Sequence, residues 1–143
     1  MAGAGLSAAA ALLHLGVIAG GPDWYRFFGA GKRMAQMAER GHWYPPVITI
    51  GIASVLAGWA LVALSGSGLT FRVPLLRTGL AAITAIYLAR GLLIVPVVMF
   101  VPYPEGAFDY WSSLIVLVYG LVYAIGLWLA WPALRPRPQS SIA

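Results

Sequence analysis

The stretch LLRTGLAAITAIYLARGLLIVPVVMFV, residues 75–101, is long and apolar enough to cross a bilayer, yet it carries a permanent charge, Arg90, near its middle. Twelve residues separate Arg77 from Arg90 and eleven separate Arg90 from Pro102, and all are apolar, Gly, Thr, Tyr or Pro. Water would tolerate charge on one face of so long a helix; lipid does not. An arginine inside such a run is costly, which makes it a candidate for function.

The rest of the chain agrees with lipid as its solvent. It has 143 residues, 61% hydrophobic and 9% charged, where a soluble domain carries about a quarter charged residues. Three further apolar runs lie at 5–21, 46–65 and 110–131. The fold class expected is an all-α membrane protein, with four transmembrane helices in an antiparallel bundle, forming one domain over 1–143. The first run has no Lys or Arg before Arg26, so it is read as a mature helix and not a signal peptide.

Between the first two spans, residues 24–40 read as an interfacial amphipathic helix. At 100° per residue, Trp24, Phe27, Phe28, Met34, Ala35 and Ala38 fall on one half of the wheel, and Arg26, Lys32, Arg33, Glu39 and Arg40 on the other. Arg26, Lys32, Arg33 and Arg40 are therefore candidates for lipid-headgroup contact. Gly20-Gly21-Pro22 is expected to end the first helix, with Asp23 capping the next and Gly41 stopping it. Gly16 and Gly20, and the small residues Gly51, Ala53, Ser54, Ala57 and Gly58 of the second span, suit close helix–helix approach.

Pro96 should loosen the end of the third span. A rigid acidic connector over 102–108 leads to Asp109, and a tail over 134–143 is expected to be disordered. With four spans both termini share one side, and the first connector holds four Lys/Arg against Arg72, Arg77, Arg135 and Arg137 opposite. The positive-inside rule thus assigns no side.

The net charge of +5 comes from one Lys, eight Arg, two Asp and two Glu, set mostly between the apolar runs. Membrane lipids are the expected partners, with no nucleic acid. The chain has no cysteine, which excludes thiol–disulfide, iron–sulfur and thiolate-zinc chemistry. The only histidines are His14 and His42, and no carboxylate sits within a span, so neither bis-His haem nor a metal or other cofactor is expected.

The candidate ligand site is a polar seam between the third and fourth spans. Thr84, Tyr87 and Arg90 or Gly91 recur on one helical face; Ser112, Val116, Tyr119, Tyr123 and Gly126 line the facing one. His14 is the natural third contributor. One reading is a pocket in which Arg90 holds a phosphate or carboxylate oriented by tyrosine hydroxyls. The other is structural: Arg90 lies about 18 Å along the helix from Pro102 and pairs with Asp23 or Asp109, or with backbone carbonyls.

The run Gly20-Gly21-Pro22-Asp23-Trp24-Tyr25-Arg26-Phe27-Phe28-Gly29-Ala30-Gly31, closing with Ala38-Glu39-Arg40-Gly41-His42-Trp43-Tyr44-Pro45, and the later Trp111-Ser112-Ser113-Leu114 resemble short inner-membrane proteins of Gram-negative bacteria. The resemblance covers the layout of most of the chain and implies a bacterial inner-membrane location. That family has no assigned activity, so it transfers no functional residue. The preference for Arg over Lys also fits a GC-rich bacterial genome. Small multidrug transporters differ in needing a Glu in their first helix. Membrane glutathione transferases differ in carrying Glu, Arg and Asn along a span.

Three functions remain in play. The first is a lipid- or amphiphile-contacting accessory protein. The second is a small dimeric transporter, the small-residue faces serving a homo-oligomer. The third is a lipid-modifying enzyme, for which no nucleophile–base pair is visible and no catalytic residue is assigned.

Overall fold

The computed structural model describes residues 1–68, 74–94, 96 and 107–134. Among them there are helices and no strands: α1 Ala2–Phe27, α2 Lys32–Glu39, α3 Tyr44–Gly66, α4 Leu76–Leu92 and α5 Ala107–Ala130. Among the described residues three helices are long and apolar enough to cross a membrane, within Ala2–Phe27, Tyr44–Gly66 and Tyr110–Ala130. The chain from 97 to 106, which holds most of the expected acidic connector, lies outside the described residues, as does 135–143.

α1 buries Ala4, Ser7, Ala11 and Val17 along one stripe. Its first helical piece ends at Gly20-Gly21-Pro22, as the sequence suggests. Gly21 adopts φ 68° and ψ −154°, a conformation open to glycine, and the helix resumes as a kink through Pro22 to Phe27. Pro22 begins the new turn, where a missing N–H costs little. Asp23 follows Pro22 in the first turn of the new piece, where it pairs with Arg26 at 2.9 Å and does not cap.

Trp24 folds back across the kink. A methyl group on Gly20 would sit 2.1 Å from its Cγ, and one on Gly16 would sit 3.3 Å from its Cζ3. Both glycines therefore seat Trp24 and do not form a surface for another helix. Gly20→Ala should force the indole, 44% exposed, to swing outward. We expect a net loss of about 1 kcal/mol, overpacking being partly offset by alanine's helix propensity. Red-shifted tryptophan emission with a lowered melting temperature would show it; an unchanged spectrum would refute the contact.

The single amphipathic helix expected over 24–40 is two pieces. Gly29 (φ 62°) and Gly31 (φ 89°) break the chain between α1 and α2. In α2, Ala35 is 1% exposed and packs with Val17 and Tyr25, with Met34, Phe28 and Ala38 against them. Lys32, Arg33 and Arg40 remain exposed. Gly41 (φ 65°) ends α2, as the sequence suggests.

α3 opens on Pro45 in its first turn and buries Thr49, Ala53, Leu56 and Ala60, a helical repeat. Of the five small residues singled out in the sequence, Ala53 is buried and Gly58 half-buried. Gly51, Ser54 and Ala57 face outward, and Ile48, Gly51, Ile52, Val55, Leu56 and Trp59 line a shallow apolar groove.

The third apolar run is not helical throughout. α4 stops at Leu92, Leu93 is a turn, and Ile94 and Pro96 are helical again. The cause is Pro96: its ring clashes with the carbonyl four residues back, that of Leu92, and has no N–H to bond it. Arg90 therefore stands in the last turn of α4 and not at mid-helix, where a cation complements the helix dipole.

α1 packs along α3 and α4 along α5, with sparser contact between α3 and α4 and between α1 and α5. The α4–α5 crossing is close because both helices place glycine there. A methyl group on Gly91 would lie 2.7 Å from Leu117 Cα, and one on Gly120 would lie 2.9 Å from the Leu88 nitrogen. At the other end of this pair Arg77 donates to the Trp131 carbonyl, and its guanidinium lies 4.5 Å from the Trp131 ring centroid. Ala11, Leu56, Leu80, Ile83, Tyr87 and Tyr123 join the helices into one core. Leu134, the first residue of the expected tail, is buried in that core.

Candidate functional site

Three hydroxyls meet inside the bundle. Ser7 of α1, wholly buried, lies 2.7 Å from the Tyr123 hydroxyl of α5 and 3.0 Å from that of Tyr87 of α4. Tyr87 and Tyr123 are 5% and 4% exposed. Around Tyr87 the rings of Trp59, Tyr119 and Tyr123 gather with centroids 5.0, 5.7 and 5.4 Å away. The residues are placed by helical repeat: Ser7 lies between Ala4 and Ala11 on the buried stripe of α1, and Tyr119 and Tyr123 are one turn apart on α5.

The sequence-derived seam is therefore divided. Tyr87, Tyr119 and Tyr123 come together, and Ser7 joins them where His14 was expected. His14 lies two turns further along α1, half-buried, with Nδ1 at 2.8 Å from the carbonyl of Ala10 in its own helix. Since a carbonyl only accepts, Nδ1 is the donor of this bond. Thr84 is buried but donates to the Leu80 carbonyl, also within its own helix. Neither side chain joins the hydroxyl node.

Arg90 also stands apart from the tyrosines. It is exposed, and Nη1 donates to Ser113 Oγ at 3.2 Å. Ser113 is 1% exposed, so a buried hydroxyl fixes the near end of an exposed guanidinium. The expected pairing with Asp23 does not occur, because Asp23 is taken by Arg26; the side chain of Asp109 lies outside the described residues.

Arg26 is bound by Glu39 of α2 as well as by Asp23, an ionic clasp joining the kinked end of α1 to α2. The hydrogen bond that Arg26 donates to Glu39 holds its pKa above the ordinary value, opposed by partial desolvation and aided by the charges of Glu39 and Asp23. Below the clasp, Thr49 donates to the Pro45 carbonyl at 2.8 Å, which leaves its oxygen to accept from Tyr25 at 3.1 Å.

Sequence reasoning missed Ser7 and Ser113. A serine on an otherwise alanine stripe, Ala4-Ser7-Ala11, was the available signal for the first. For the second, α5 buries Ser113 where the helical face inferred from spacing favoured Ser112, one residue away. Among the described residues, no three His, Cys, Asp or Glu side chains gather to hold a metal ion. No family model, curated protein or solved structure matches this chain.

Proposed function

We propose that this is a four-span bacterial inner-membrane protein that holds anionic lipid headgroups along one membrane face, acting as a lipid-contacting accessory protein. α4 supplies the fourth span. Its helix covers about 25 Å at 1.5 Å per residue, and apolar sequence continues to Val101.

An antiparallel bundle is supported by the contact order. Arg77 meets Trp131, Leu88 meets Gly120 and Gly91 meets Leu117. Tyr25 near the end of α1 meets Thr49 near the start of α3, and Gly66 at the end of α3 meets Leu80 of α4. This order brings the kink of α1, all of α2, the start of α3 and the end of α4 to one face. Arg26, Lys32, Arg33, Arg40 and Arg90 then lie at that face, with α2 in the headgroup layer.

Arg90 carries the reading. An exposed guanidinium at a helix end, held by a buried serine, is preorganised to meet a phosphate. A cation beside anionic lipid contributes about 1 kcal/mol, or about fivefold in affinity. In nanodiscs mixing phosphatidylglycerol with phosphatidylcholine, the protein should enrich phosphatidylglycerol in its retained lipid by native mass spectrometry. Arg90→Gln should reduce that enrichment several-fold while circular dichroism keeps its helical signal. Equal enrichment by a folded Arg90→Gln protein would defeat the proposal.

A further inference from the structure

The opposite end of the bundle holds a cavity of about 170 Å³ among the ends of α1, α3, α4 and α5. Gly3, Ala4, Gly66, Leu80, Gly126 and Tyr123 are among its walls. Gly126 keeps it open: a methyl group there would meet nothing within 4 Å, whereas one at Gly3 would press on the Tyr123 ring at 3.0 Å. Engineered apolar cavities of about 150 Å³ admit benzene, so the space suits one ring or a short chain.

Tyr123 makes this wall polar in an incomplete way. Ser7, Tyr87 and Tyr123 each own one hydroxyl proton, yet among the described residues only two hydrogen bonds join them. One proton of the node is left over. Either oxygen of each bond can donate; of the orders this allows, Tyr87 to Ser7 to Tyr123 leaves the spare proton on Tyr123, the member that lines the cavity. Such a chain polarises its terminal donor, and a buried donor left unmet costs about 1–3 kcal/mol.

We propose that this cavity binds a small neutral molecule bearing a hydrogen-bond acceptor on an apolar ring or short chain, with Tyr123 donating to the acceptor. The site is separate from Arg90 and Ser113. Ser113 and Gly126 stand thirteen positions apart on α5, about 20 Å along the helix, so either proposal can fail alone.

Acetophenone and α-methylstyrene share a shape and differ in carbonyl against methylene. With the full chain in nanodiscs, both should raise the melting temperature in proportion to binding. α-Methylstyrene should bind about tenfold more weakly, the value of one buried hydrogen bond. Tyr123→Phe should abolish that difference, and Gly126→Leu should abolish the response to both. Should Gly126→Leu not fold, Gly126→Ala should weaken both responses. A native protein that ignores acetophenone would overturn the proposal, as expected if water alone completes the node. Equal affinity for the two probes, or an unchanged response in the cavity-filled variants, would overturn it too.

Discussion

Alanine at Gly91 is expected to destabilise the protein by about 1–3 kcal/mol, the range for forcing an added methyl group into a close-packed contact. The added carbon would lie 2.7 Å from the Leu117 Cα and 2.8 Å from its nitrogen, so backbone must move. A side chain could rotate away; a helix axis has to shift along its whole length. Gly120→Ala should act similarly through the Leu88 nitrogen at 2.9 Å.

Once one substitution has pushed α4 and α5 apart, the second meets a wider gap. The double variant should therefore lose less than the sum of the singles. Gly58→Ala is the internal control, since a methyl group there meets nothing within 4 Å and gains up to about 1 kcal/mol of helix propensity. Reversible denaturation in mixed micelles, followed by circular dichroism, measures all four. If Gly91→Ala proved as stable as Gly58→Ala, the crossing described for α4 and α5 would be wrong.

Ser7→Ala is expected to lower stability by about 2–4 kcal/mol, because it strands two buried tyrosine hydroxyls at about 1–3 kcal/mol each, with some relief from water. The serine is wholly buried and is the common partner of Tyr87 and Tyr123. The decisive comparison is the triple variant Ser7→Ala, Tyr87→Phe and Tyr123→Phe. It removes the stranded hydroxyls and should recover much of the loss, although it contains more changes. A triple variant less stable than Ser7→Ala would mean that the rings and not the hydroxyls carry the node. Thr84→Val should cost less than Ser7→Ala, because its hydroxyl serves only the Leu80 carbonyl one turn below.

The parts of the fold that were readable in advance follow from local chemistry. Long charge-poor runs marked the apolar helices, and Gly41 ended α2 through a positive φ. What failed were inferences in which a local signal had more than one structural outcome. Gly20-Gly21-Pro22 does interrupt the helix, but Pro22 and not Asp23 stands at the start of the new piece. Gly31 lies on the apolar half of a continuous wheel and Gly29 on the polar half, yet their positive φ values divide it. Pro96 was recognised as loosening a helix, but its clash with the Leu92 carbonyl moves Arg90 from mid-helix to helix end.

The sequence by itself determined the helical class of this protein, the positions of its long apolar helices and the residue types able to bind anything at all. Those properties depend on composition and on repeats within single helices. The tertiary structure alone decided which polar groups meet. Ser7 finds two tyrosines that stand 80 and 116 residues away in the chain, and Arg90 finds Ser113 while His14 and Thr84 turn to their own helices. A helical face spans several residues, and one residue of rotation exchanges one serine for its neighbour. Only the glycine-set crossing of α4 on α5 and the kink of α1 choose among those faces.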